Sequence, residues 1–282
     1  MSDRILITGA TGNIGSELLR QLQAKGADVV AGTNSRPIPG TESVSIDFAD
    51  RSSLERAMKG VATVFMVMPA HPEMAQWGEN VIDAARNAGV SHVVRSSGSM
   101  ADEGSSRTLD RLLGLTDAYL AGSGLDYTIT APNFFMQNFA TQLSADFKEN
   151  VIAVPAGDGG VAWIDVRDIA AVSAEVLLNP KEYRGKTLTI TGSQPLSYAQ
   201  AVEAMNRALG TSASYIAVSD EAARKAMTDL GLPEFVIDVM VGLGQCVRQG
   251  HVEETTDTVE RLLGRPPITF EQFVQDHRTA WI

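Results

Sequence analysis

The 282-residue chain has one cysteine, Cys246, so no disulfide can form within it. A reducing, cytoplasmic compartment suits that composition. Histidines are also few: His71, His92, His251 and His277. None pairs with another, or with Cys246, at the spacing of metal ligands, and no metal site is expected. Positive charge is in the minority, with 23 Lys and Arg against 34 Asp and Glu and a net charge of −11. That argues against a broad surface for nucleic acid or anionic membrane, because such surfaces are built from Lys and Arg. The longest apolar run, Val61 to Ala70, falls well short of the ~20 residues that a spanning helix needs. Asp3 and Arg4 lead straight into an apolar stretch, and no secretory leader is expected. There is no internal repeat and no low-complexity linker. Hydrophobic residues make up 44% and charged residues 20%, ordinary values for a globular protein, so the partner to look for is a small molecule.

The informative stretch is Ile5-Leu6-Ile7-Thr8-Gly9-Ala10-Thr11-Gly12-Asn13-Ile14-Gly15. An apolar run ends at Gly9, and glycines return at Gly12 and Gly15. A helical pattern follows, with Ile14, Leu18 and Leu22 on one face. Strand, tight glycine turn and helix is the arrangement that a dinucleotide pyrophosphate requires. Glycine lets backbone N–H groups approach the phosphates, and the helix start offers unpaired donors and a partial positive charge. The spacing is G-x-x-G-x-x-G rather than G-x-G-x-x-G.

Strand and helix patterns alternate through the first half. Strands are expected at 4–8, 28–32, 43–47, 61–68, 91–97 and 127–131, and helices at 14–25, 52–58, 74–88 and 109–121. The strands around residues 5, 64 and 94 are nearly continuous apolar runs, as strands covered on both faces are. The fold class is therefore α/β: a Rossmann-type, doubly wound parallel sheet with a smaller, mostly helical C-terminal substrate region. Residues 1–132 form the NAD(P)-binding core and 133–282 the substrate region and helical cap, with about 161–192 returning to the core. In that second part helices are expected at 166–178, 197–209, 220–230, 235–249 and 269–275, and a strand at 186–191. Asp165 reads as a helix N-cap, with Asp168 in the first turn.

Four segments carry a family resemblance: Thr8 to Gly15, Asn80 to Val94, Ala131 to Asn138 and Ala162 to Ala170. Together they make the chain resemble the NmrA-like branch of the atypical short-chain dehydrogenases/reductases. That branch includes triphenylmethane and quinone reductases, iminium-reducing enzymes and redox-sensing regulators. The resemblance implies that Gly9, Thr11, Gly12, Asn13 and Ile14 line the pyrophosphate, and that Asp47 and Phe48 flank the adenine. It places Met68 and Pro69 by a ribose, and Ser96, Ser97, Pro132, Asn133 and Phe134 near the nicotinamide and the substrate.

The end of the second strand decides between NAD and NADP. A carboxylate there bonds the ribose 2′-OH and repels a 2′-phosphate, whereas an arginine accommodates it. The segment reads Thr33-Asn34-Ser35-Arg36, with no acid. Arg36, with the short donors Thr33, Asn34 and Ser35, favours NADP, and NAD stays open. Arg36 also reads as a solvated loop residue before Pro37.

Carbonyl-reducing relatives use Tyr-x-x-x-Lys, the tyrosine donating a proton as hydride arrives. None of Tyr119, Tyr127, Tyr183, Tyr198 and Tyr215 is followed by lysine at that spacing. Where many relatives place a histidine and a carboxylate, this chain has Leu113 and Asp117. Without that acid, an electron-poor conjugated acceptor is a better substrate than a simple ketone: a quinone, an iminium ion, a cationic dye or an enone. Met100, Phe134, Phe135, Met136 and Trp163 are apolar, adaptable or flat candidates to meet such a substrate, although each also reads as core. His71 follows the fourth strand and is the candidate proton donor, with an exposed loop histidine as the alternative. Asp117 reads as a helix-surface carboxylate. A non-catalytic NAD(P)-binding sensor or regulator is the rival to the reductase, and a lyase or isomerase on the same scaffold also stays open.

Overall fold

The computed structural model describes residues 3–34 and 36–282; Ser35, one of the proposed phosphate donors, lies outside the described residues. In chain order the elements are β1 (Ile5–Ile7), α1 (Asn13–Ala24), β2 (Val29–Thr33), β3 (Ser43–Ser45), α2 (Arg51–Ala57), β4 (Thr63–Met66), α3 (Met74–Ala88), β5 (His92–Ser96), α4 (Thr108–Gly122) and β6 (Tyr127–Pro132). They continue with α5 (Gln137–Ala140), α6 (Ser144–Lys148), β7 (Val151–Val154), β8 (Gly160–Val161), α7 (Val166–Leu178), α8 (Pro180–Tyr183), β9 (Thr187–Ile190), β10 (Leu196–Ser197) and α9 (Tyr198–Leu209). The last are β11 (Ser214–Ala217), α10 (Asp220–Asp229), α11 (Glu234–Arg248), α12 (Thr258–Leu263) and α13 (Phe270–Asp276).

The main sheet has the order β3-β2-β1-β4-β5-β6-β9. The pairings from β3 through β6 are parallel. Strand order reverses between β1 and β4, which makes that boundary the switch point where an open α/β sheet receives ligands at its carboxyl edge. β1, β2, β4 and β5 are buried along their whole length. Leu6, Val30, Val64, Val81, Ile82 and Val93 belong to one core cluster between the sheet and its helices.

Two compact units divide the chain. The first comprises residues 1–106, 110–131 and 169–189; the second comprises 107–109, 132–168 and 190–282. The second unit is mostly helical, as its periodicity predicts, but it also holds two small sheets. β10 pairs antiparallel with β8, and β11 pairs parallel with β7. Sequence pattern did not signal these strands. They are short, and β11 is largely exposed, so they show neither a long apolar run nor a clean alternation. No helix among the described residues is long and apolar enough to cross a membrane. Nor, among them, could any group of His, Cys, Asp or Glu hold a metal ion.

Candidate functional site

The loop after β1 is built against the switch point. Thr8 donates its backbone N–H to Phe65 O (2.9 Å) at the end of β4. Its hydroxyl donates to Val67 O (2.8 Å) and accepts from Val67 N–H (2.9 Å). Gly9 then turns the chain at φ +60°, and a Cβ there would meet Val67 Cγ1 at 3.0 Å. Gly15 is demanded by packing as well, because its Cβ would lie 2.2 Å from Gly9 O.

Gly12 is different. A Cβ there would meet only Gly9 O, at 3.3 Å, and the residue is exposed together with Thr11 and Asn13. Gly12 is also the N-cap of α1, with no side-chain cap and no acid in the first turn. A helix start normally satisfies its first amides with a side chain. Here glycine supplies no side chain and the helix start is open to solvent, and an anion of pyrophosphate size fits the donor set and the helix dipole. The side chain of Ile14 is buried in the core, so its contribution to such a site is its backbone N–H.

At the end of β2 lies a cavity of about 80 Å³ lined by Thr33, Asn34, Arg36, Ser43 and Ser45, among others. Arg36 is exposed. Phe48 is half-buried and stacks on Trp77 (ring centroids 5.9 Å apart). Asp47 accepts the Ala49 N–H (2.9 Å), a local turn at the entry to α2. Met68 packs against the core and Pro69 is exposed. The His71 ring stacks on Trp77 at 4.1 Å, and its Nδ1 accepts from Glu73 N–H (3.1 Å) beside the start of α3. That leaves Nε2 as the nitrogen available to a ligand.

One feature corrects the sequence reading. Asp117 is not a surface carboxylate; its side chain is 15% exposed, and it faces Arg95, which is 1% exposed. Arg95 Nε lies 3.5 Å from Asp117 Oδ1, and Arg95 Nη1 donates to Ser96 O. Ser97 Oγ donates to Asp117 Oδ2 at 2.5 Å. Arg95 Nε and Nη2 and Asp117 Oδ1 make no hydrogen bond among the described residues. Burial pushes the Asp117 carboxyl above the ordinary carboxylate range, against the opposing pull of Arg95 and the Ser97 hydroxyl. The signals were present. Arg95 interrupts an otherwise apolar strand, and a buried charge demands a partner. Asp117 also continues the row of Asp110 and Gly114, which are buried on α4. Two glycines let α4 approach this loop. At Gly98 a Cβ would stand 3.0 Å from Leu113 Cδ1, and at Gly114 it would stand 2.1 Å from Glu103 N.

The remaining candidates divide between the units. Met100 is half-buried in the first. In the second, the Asn133 amide is used internally: Nδ2 donates to Val252 O (2.9 Å), and Oδ1 accepts from Phe134 N–H (2.8 Å). Met136 and Trp163 are 2% and 1% exposed, which makes them core residues rather than open substrate contacts. Trp163 donates Nε1–H to Leu196 O (2.9 Å) and packs edge-on against Phe134, Phe139 and Tyr198. The cavity beside these two residues is only about 10 Å³, which admits no flat aromatic molecule. Phe134 and Phe135 are half-buried. Asp165 caps α7 as expected, accepting from Arg167 N–H at 2.8 Å. Asp168 is fully buried and pairs with Arg265 (2.7 Å).

Comparison with known proteins agrees with this architecture. The model of the NmrA-like family matches residues 1–274. The NAD(P)H azoreductase of Xenophilus azovorans is 35% identical, over 98% of this chain and 99% of that protein. The crystal structure of an NADPH-dependent quinone oxidoreductase from Escherichia coli, complexed with NADPH, superposes with a TM-score of 0.86 at 25% identity, covering 96% of this chain and 99% of that one. Citrobacter sp. triphenylmethane reductase complexed with NADP(H) shares the fold, with a TM-score of 0.83 at 23% identity and coverage of 96% and 99%.

Proposed function

The chain belongs to the NmrA-like family, and from that premise we propose that it is an NAD(P)H-dependent reductase of small, electron-poor conjugated acceptors. Quinones, cationic dyes, iminium ions, enones and azo compounds are the candidate acceptors. The uncapped, acid-free start of α1 above Gly12 carries this reading. The named activities of the azoreductase and the quinone oxidoreductase support it.

Bound NAD(P)H supplies the hydride. The chain's own residues hold the ligand and shape the reaction. Backbone N–H groups of the first turn of α1 bind the pyrophosphate. Phe48 offers its ring to the adenine, and Asp47, Met68 and Pro69 border the nucleoside. Arg36 and Asn34 take the 2′-phosphate of NADP in the cavity at the end of β2. Ser96 ends β5 and Ser97 follows it, in the half of the sheet that serves the second mononucleotide. Positioning a good hydride acceptor over that edge can supply a large part of the acceleration. Two groups at this edge can deliver a proton, His71 Nε2 beyond β4 and Ser97 Oγ beyond β5.

The test is oxidation of NADPH and NADH against a panel of quinones, azo compounds, cationic dyes, iminium ions, enones and plain ketones. Turnover of the electron-poor members is expected. Turnover of plain ketones alone would overturn the acceptor class, and tight cofactor binding with no turnover of any member would overturn the enzyme in favour of a sensor.

A further inference from the structure

We propose that Ser97 donates the proton in the reduction of neutral acceptors, and that Asp117, held by Arg95, reloads it from solvent. This inference rests on the reductase reading and adds an acid that the chain's tyrosines do not provide. Four observations place it. Ser97 Oγ is 2.5 Å from Asp117 Oδ2. Ser97 follows β5 directly, at the carboxyl edge where ligands of such sheets bind. The Asp117 side chain retains 15% exposure, a route for protons from water, while its Oδ1 is buried against Arg95. Arg95 stands behind the carboxyl with Nε and Nη2 unbonded among the described residues, a fixed positive charge that stabilises the carboxylate once its proton has left.

An azo acceptor takes up one hydride and one proton. The hydride forms an N–H bond, and the π pair of the N=N bond moves to the second nitrogen. That nitrogen takes the Ser97 hydroxyl proton. With Asp117 protonated the bond to Ser97 reverses, the carboxyl donating to Ser97 Oγ; the Ser97 oxygen takes that proton and leaves a carboxylate beside Arg95, which is reprotonated from solvent. The acceptor is reduced to the hydrazo compound and the nicotinamide is oxidised. A carbocationic dye needs no proton when it takes a hydride, so it bypasses the relay.

The charge that acts on the Asp117 carboxyl is that of Arg95, from β5, and the Ser97 hydroxyl adds a hydrogen bond; both favour the carboxylate. Burial, the dominant influence on the carboxyl, raises its affinity for the proton.

Two measurements test the relay. The first is the ratio of azo to triphenylmethane-cation turnover, in which a shared loss of cofactor binding cancels. Ser97→Ala, which leaves the Arg95–Asp117 pair in place, is expected to lower this ratio about 100-fold. In the wild type the ratio should fall as pH rises through the Asp117 titration, and Asp117→Asn should remove that dependence. The second is carbon-13 NMR of aspartate carboxyls in the cofactor-free protein. Burial also raises the Asp146 and Asp168 carboxyls, so the signal to read is a carboxyl titrating above the ordinary value of about 3.9 that disappears in Asp117→Asn and moves further up in Ser97→Ala. An unmoved ratio in Ser97→Ala, or no high-titrating carboxyl lost in Asp117→Asn, overturns the relay. So does a ratio that collapses in His71→Ala instead. If the wild type reduces neither acceptor, the reductase reading itself fails and takes the relay with it; wild-type turnover with an unmoved ratio sinks the relay alone.

Discussion

Arg95 and Asp117 form an ion pair whose basic partner is almost entirely out of water, with Nε 3.5 Å from Oδ1 and Arg95 1% exposed. Arg95 keeps its charge at any ordinary pH, so burial makes it dependent on the carboxyl beside it. Above the Asp117 titration, where the carboxyl is ionised, Asp117→Ala would leave the guanidinium without a counter-charge, a change that costs about 3–5 kcal/mol when a buried pair is broken. The double variant Arg95→Met with Asp117→Leu should recover most of that loss, because it removes both charges. Urea unfolding of the three proteins measures the difference. A loss below about 1 kcal/mol in Asp117→Ala, the scale of a surface pair, would mean that water reaches Arg95 after all.

The two glycines at the start of α1 should fail in different ways. Gly15→Ala forces a Cβ to within 2.2 Å of Gly9 O, a backbone atom that cannot yield without moving the turn. It is expected to lower thermal stability whether or not a nucleotide is present. Gly12→Ala meets the same Gly9 O only at 3.3 Å and should lower the melting temperature of the free protein much less than Gly15→Ala does. Its methyl group would instead stand where the pyrophosphate needs close approach, so NAD(P)H affinity should drop at least about tenfold, or ~1.4 kcal/mol. Differential scanning fluorimetry with and without cofactor separates the two effects. Unchanged affinity in Gly12→Ala would move the phosphates away from this helix.

Cofactor choice should follow Arg36. It follows the acid-free end of β2, beside a cavity of about 80 Å³, and a partly exposed charge-assisted bond to phosphate is worth about 1.5–3 kcal/mol. Arg36→Ala is therefore expected to weaken NADPH binding about tenfold or more while leaving NADH binding nearly as it was. Isothermal titration with both nucleotides reads this directly. Equal affinities for NADPH in the two proteins would show Arg36 to be a solvated loop residue.

Much of the first unit was legible because its local signals agree. Apolar strands, glycine stops and amphipathic helices all point to one parallel sheet, and the Gly9 turn follows from the same pattern. Asp117 was misread because composition and spacing show that a residue falls on a helix stripe, but not which neighbour that stripe meets. Only the approach of α4 to the loop after β5, allowed by Gly98 and Gly114, turns it into the partner of Arg95 and Ser97. Trp163 and Met136 look like ligand contacts in one dimension, because a pocket and a core use the same residues. Their enclosure by Phe139, Tyr198 and Phe270 depends on segments far along the chain. β7 and β11 pair across a similar separation, and a short strand without a long-range partner leaves no pattern of its own.

Stability should also depend on pH through His92. This side chain is 3% exposed, and its Nε2 lies 2.9 Å from Thr128 Oγ1. The Thr128 hydroxyl spends its own proton on Tyr183 O (2.9 Å), so His92 Nε2 is the donor to Thr128 Oγ1. Burial lowers the His92 pKa, while Asp126 opposes that shift and Arg184 reinforces it. The unfolded chain therefore binds a proton near pH 6.5 that the folded chain refuses. The stabilisation is complete above that value and is lost as pH falls toward the lowered folded-state value. His92→Gln can keep a donor to Thr128 without titrating. The melting temperature of the wild type should thus fall more steeply than that of His92→Gln between pH 7 and 5, and the two curves should run parallel above pH 7. Parallel curves across the whole range would mean that His92 takes up its proton in the folded protein as readily as in the unfolded one.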